Sequence, residues 1–106
     1  MIISLDFDDT FTADRETWTK VASVLADAGH EVICISGRID EEANQTELRQ
    51  SLPESVERIY LCGSVSKKHY AETHSIPVDV WIDDSPTRIV QAKDRIVRPY
   101  CARRSR

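Results

Sequence analysis

The first ten residues, MIISLDFDDT, constrain the fold and the chemistry together. Met1, Ile2, Ile3 and Leu5 form a short apolar run rich in β-branched residues, which predicts a buried strand, and the run stops at Asp6, Asp8 and Asp9. A near-continuous apolar strand suits a parallel sheet covered on both faces. In such sheets ligands bind at the carboxyl ends of the strands, so carboxylates placed there mark the expected site of chemistry. Residues two apart in an extended chain face the same side. Asp6 and Asp8 are therefore expected to project together, with Leu5 and Phe7 on the opposite face.

The rest of the chain supplies partners for that strand. Asp14 is placed to cap a helix in which Trp18, Val21, Ala22, Leu25 and Ala28 recur at helical spacing, and Gly29 stops it. Glu31 opens a second strand, Val32 to Ser36, which ends at Gly37 and Arg38. This β-helix-β order predicts a right-handed parallel unit. Asp40 to Leu52 reads as a weakly amphipathic helix broken by Pro53, and Arg58 to Cys62 as a third strand closed by Gly63. Ser66 is placed to cap a helix from Lys67 to about Ser75. Val78 to Ile82 predicts a fourth strand, which stops at Asp83 and Asp84. Pro86 suits the first turn of a last helix with Ile89 and Val90 inward, and Ile96-Val97 a fifth, edge strand. The expected fold is α/β: a three-layer Rossmann-like sandwich, with a parallel sheet of four to five strands and helices on both faces. The expected catalytic domain spans residues 1–98, and residues 99–106 form a basic C-terminal tail.

Composition narrows the function classes. A chain of 106 residues supports one core rather than two. No apolar run approaches the roughly 20 residues needed to cross a bilayer. Nothing at the N-terminus marks export, and Cys34, Cys62 and Cys101 make neither a metal pair nor a disulfide framework, so a reducing cytoplasm is the expected compartment. His30, His69 and His74 show no partner pattern, and Trp18 and Trp81 read as core aromatics. A net charge of −4 argues against broad nucleic-acid affinity, although the tail carries Arg103, Arg104 and Arg106 without an acid.

The strand ends carry a matched set of groups: Asp6 and Asp8 after the first, Ser36 at the second, Lys67 after the third, Asp83 and Asp84 after the fourth. Crowded carboxylates repel one another, and keeping them ionised requires a cation. Magnesium is the expected ion, because it takes oxygen ligands and the sequence offers no His/Cys pair at metal spacing. Lys67 and Ser36 would supply a charge and a hydroxyl to the non-bridging oxygens of a phosphate.

In their order, DFDDT, ISGR, a lysine at a helix start and WIDDSP, these segments resemble the haloacid dehalogenase superfamily of phosphohydrolases, over Met1 to about Val97. The resemblance implies that Asp6 is a nucleophile forming an aspartyl-phosphate, and that Asp8 is the general acid and then the base. It implies magnesium held by the Asp6 carboxylate, the Asp8 backbone carbonyl and the acidic pair, with the choice of Asp83 or Asp84 as direct ligand left open. Thr10 would stabilise the loop, Ser36 with Gly37 would hold the phosphoryl group, and Lys67 would neutralise it. Lys67 is preferred over Lys68 because Tyr70 then falls three residues on. Asp9 stands where many relatives have Gly. A response-regulator receiver fits less well, because its phosphorylated Asp ends the third strand, which here ends in Leu61, Cys62 and Gly63.

Relatives usually carry a cap domain, and neither insertion point has room for one here. The expected activity is therefore magnesium-dependent hydrolysis of a phosphomonoester at an open site that accepts small, nucleotide or nucleic-acid phosphates, with a homo-oligomer or a macromolecular substrate as cover. WIDDSPTRIV resembles the acidic-pair segment of polynucleotide 3'-phosphatase domains. The alternatives are an inert binding module of the same fold and an accessory subunit of a nucleic-acid end-processing complex.

Overall fold

The N-terminal strand forms as β1, Ile2–Leu5, in a computed structural model that describes residues 1–90. It is followed by α1 (Arg15–Asp27), β2 (Glu31–Ser36), α2 (Glu42–Ser51), β3 (Val56–Leu61), α3 (Lys67–Thr73) and β4 (Val80–Ile82). The four strands form one parallel sheet in the order β3-β2-β1-β4. The chain thus builds outward from β1 through β2 to β3 and then returns to lay β4 on the other side of β1. This reversal places the ends of β1 and β4 side by side, the position at which ligands collect in open α/β sheets.

Alternation along the strands divides the core into two layers. On one face Leu5, Val32, Cys34 and Val56 pack with Phe7, Phe11, Ala22 of α1 and Leu48 of α2. On the other, Ile33 and Ile35 pack with Cys62 and Ala71 of α3, supported by Tyr60, Tyr70 and Trp81. Trp18 joins the first layer and Trp81 the second. Both described thiols, Cys34 and Cys62, are buried and pushed above the ordinary thiol range, chiefly by burial, which leaves them protonated and inert. No helix among the described residues is long and apolar enough to cross a membrane.

The caps explain where the helices begin. Asp14 accepts a hydrogen bond from the Thr17 amide at 3.1 Å, and Ser66 accepts one from the His69 amide at 3.3 Å. Gly29, at φ +90°, turns the chain out of α1. Other boundaries differ from expectation for local reasons. β3 starts two residues early, at Val56, because that side chain is buried in the first layer. β4 starts two residues late, because the Val78 amide bonds the Ile76 carbonyl instead of entering the ladder. After β1 the chain makes an irregular turn with extended backbone at Asp8, closed by the Phe11 amide on the Asp6 carbonyl at 3.2 Å and the Thr12 amide on the Phe7 carbonyl at 3.0 Å, and it seats Phe7 and Phe11 in the core. Within that turn Asp9 adopts φ +64°, a left-handed conformation that Asp tolerates better than most side chains. Past Pro86 the described chain makes only a short 3-10 turn, Pro86–Arg88, with Ile89 and Val90 half-buried. The expected edge strand at Ile96-Val97, Cys101 and the basic tail lie outside the described residues.

Candidate functional site

The carboxyl ends of β1, β2 and β4 and the start of α3 enclose a cavity of about 300 Å³. Asp6, Asp8, Asp9, Asp83 and Asp84 line it, together with Gly37, Arg38, Lys67, Ser85 and Arg88. Five of these ten residues are acidic, so the cavity carries surplus negative charge. As expected from the extended spacing, Asp6 and Asp8 both face it, while Leu5 and Phe7 share the first core layer.

Asp6 is fixed from three directions. Its amide donates to the Ile82 carbonyl at 2.9 Å, which ties the end of β1 to β4. One carboxylate oxygen accepts from Lys67 Nζ at 2.7 Å, and the other accepts from Thr10 Oγ1 at 3.1 Å. Lys67 Nζ also donates to Asp83 at 2.5 Å, so one buried ammonium is shared between two buried carboxylates. Lys68, by contrast, points to solvent beside Glu72.

The Thr10 hydroxyl exposes a shortage of protons at this centre. It lies 3.1 Å from Asp6 Oδ2 and 2.9 Å from Asp84 Oδ1, and it also accepts from the Asp84 amide at 3.1 Å. A hydroxyl has one proton to give, so it cannot serve both carboxylates. The hydroxyl donates to one of the two at a time, and the other carboxylate is left to water, a proton or a cation, Asp84 being exposed to solvent. Burial pushes the Asp6 carboxyl up to about 6, against the lowering pull of Lys67 and with the help of Asp83 and Asp84. Burial also opposes the charge on Lys67, but its hydrogen bonds to Asp6 and Asp83 outweigh that and hold the ammonium above the ordinary lysine range. The Thr10 hydrogen bond holds Asp84 below the usual carboxylate range.

Asp6, Asp83 and Asp84 each offer a carboxylate oxygen, and those atoms lie within 4.8 Å of one another. An all-oxygen set of three acids suits a hard divalent cation such as magnesium. The Asp8 side chain does not belong to this group. Arg38 holds it in a two-pronged pair, with Nε on one oxygen and Nη2 on the other, both at 2.9 Å. The same guanidinium reaches Glu47 of α2 at 2.8 Å and lies over the Phe7 ring, 5.2 Å from its centroid. The Arg38 hydrogen bonds therefore keep Asp8 below the usual carboxylate range.

The remaining expected residues divide between wall and support. Gly37 lines the cavity. Ser36 and Thr10 do not; both are buried, and the Ser36 hydroxyl accepts the Arg38 amide at 3.2 Å, shaping the turn that delivers Arg38. Arg38 and Arg88 are site residues to which the sequence reading gave no role. The signal for Arg38 was present in ISGR, where an arginine follows a glycine at a strand end. Arg88 gives none, because Pro86 with Ile89 and Val90 predicts a helix through its position. No protein-family model, curated protein or solved structure matches this chain.

Proposed function

We propose that the chain is a magnesium-dependent phosphomonoesterase of the haloacid dehalogenase type, a Rossmann-like three-layer domain without a cap, working through an aspartyl-phosphate at Asp6. The observation that carries this reading is the Asp6 carboxylate, pinned between a buried lysine and the Thr10 hydroxyl within ligand distance of Asp83 and Asp84. A carboxylate held this rigidly, with its other strand-end neighbours acidic, suits attack on a phosphoryl group better than simple charge pairing does.

Asp6, Asp83 and Asp84 would hold the magnesium, which when bound offsets their mutual repulsion and the charge on the phosphoryl oxygens. An oxygen of Asp6 bonds to phosphorus as the bond from phosphorus to the leaving oxygen breaks. Asp8 gives its proton to that oxygen. In the second half Asp8 takes a proton from water, the water oxygen bonds to phosphorus, and the bond to Asp6 breaks to release phosphate. Lys67 and Gly37 stand in the wall where the non-bridging oxygens would lie. Asp8 cannot donate a proton while Arg38 keeps it charged. An incoming phosphate competes for the guanidinium, and release of Asp8 lets its affinity for a proton rise.

Phosphate release from p-nitrophenyl phosphate, nucleotides and 3'-phosphorylated oligonucleotides tests the proposal. Turnover is expected with magnesium, lost on chelation, and reduced at least about 10³-fold in Asp6→Asn. Failure to release phosphate from any of these substrates with magnesium present would sink it.

A further inference from the structure

A second and larger cavity, of about 570 Å³, adjoins the acidic one and shares Gly37, Lys67 and Arg88 with it. Its character is opposite. No Asp or Glu is among the described residues that line it, whereas Lys67, His69 and Arg88 do, with the hydroxyls of Ser64, Ser66 and Thr87. Val65, Val90 and Cys62 add an apolar portion. The volume is that of a small-molecule site.

Arg88 sits on the boundary. A Cβ at Gly37 would stand 3.5 Å from Arg88 Nη1, so the guanidinium lies directly against that glycine. Among the described residues no carboxylate forms an ion pair with it, although five acids line the cavity next door. Arg38, the other arginine of the site, already pairs with Asp8 and Glu47, which a ligand must displace to reach it. Among the described residues that line the two cavities, Arg88 is thus the cation that a ligand can meet without displacing a carboxylate.

We infer that this second cavity receives the leaving group of the substrate, and that Arg88 recognises a second phosphate carried on it. The substrate class is then a compact bisphosphate: one phosphoryl group reacts at Asp6, the carbon skeleton rests on Val65 and Val90, and the other phosphate meets Arg88. This rests on the phosphatase reading for which end reacts, but not for the anion pocket itself. A planar guanidinium matches phosphate with paired hydrogen bonds, which a monophosphate lacking the second group cannot use.

The test compares adenosine 3',5'-bisphosphate with adenosine 3'-monophosphate, and fructose 1,6-bisphosphate with fructose 6-phosphate. The two pairs distinguish a nucleoside from a sugar source. kcat/KM is measured for the wild type and Arg88→Gln, and calorimetric binding of the same compounds with magnesium is measured in Asp6→Asn with and without Arg88→Gln. At least one bisphosphate is expected to be preferred about tenfold or more, with the ratio falling to near one when Arg88 is replaced. Ratios near one in the wild-type Arg88 background for both pairs, or a ratio that survives Arg88→Gln, would overturn the inference. A binding preference without any turnover would remove the hydrolase reading and leave the anion pocket standing.

Discussion

Asp6 and Asp8 are two residues apart and line one cavity, yet their surroundings push them in opposite directions. Asp6 shares a buried ammonium with Asp83, and burial raises its carboxyl to about 6. Asp8 is half-exposed and held charged by a guanidinium that belongs equally to α2 through Glu47. The lysine side of the site is a permanent fixture of the core, while the arginine side is a clasp that water and ligands can reach. In the proposed reaction the rigid carboxylate would attack and the releasable one would carry the proton.

The comparison breaks most readily at Lys67. Its side chain is 4% exposed and that of Asp83 2%. Lys67→Met strands two buried carboxylates, and thermal or denaturant unfolding should show a loss of about 3–5 kcal/mol. Little change in stability would mean that the lysine side is no more integral than the arginine side.

Arg38→Gln should cost much less. The pair with Asp8 is 24% exposed on one side and 47% on the other, and such pairs are worth at most about 1 kcal/mol. Its pH dependence has a definite sign. Asp8 lies below its ordinary value of 3.8 in the folded protein, so the stabilisation is present above 3.8 and disappears as pH falls through the lower folded value. The gap in melting temperature between wild type and Arg38→Gln should therefore narrow in acid, and a gap that widens there would contradict the assignment. In the variant, the Asp8 titration followed by carbon NMR should move up toward the ordinary carboxylate range.

The smallest effect is expected at Asp9, whose amide is tied to Thr12 Oγ1 at 2.9 Å and whose carboxylate makes no hydrogen bond or ion pair among the described residues. Asp9→Gly relieves the left-handed backbone but loosens the unfolded chain, and the two nearly cancel. Unfolding measurements should find a change within about 0.5 kcal/mol.

The order of the four strands and of α1 to α3 was legible because the strands carry short apolar segments that stop at Gly or Asp, even in β3, where Glu57 and Arg58 interrupt them. So was the gathering of Asp6, Asp8, Lys67, Asp83 and Asp84, since every one of them follows a strand that ends at the same edge. Lys67, preferred to Lys68 because Tyr70 falls three residues on, is the lysine that lines the cavity, and Tyr70 packs against the second core layer. The pairing of Arg38 with Asp8 and Glu47 could not be read, since it joins residues 30 positions and 9 positions apart through the way α2 docks on the sheet. Arg88 was hidden for a related reason: local periodicity favoured helix where the described chain makes a single tight turn. Pattern reveals which face a residue takes, but not which partner meets it there.

The proposed reaction stands on Asp6 carrying the phosphoryl group. Quenching the protein during incubation with substrate and magnesium, reducing any acyl phosphate with borohydride and sequencing by mass spectrometry tests this most directly. Homoserine is expected in place of aspartate at position 6 alone, absent without magnesium; turnover without modification at position 6, or with the label at Asp8, would rule out an aspartyl-phosphate at Asp6.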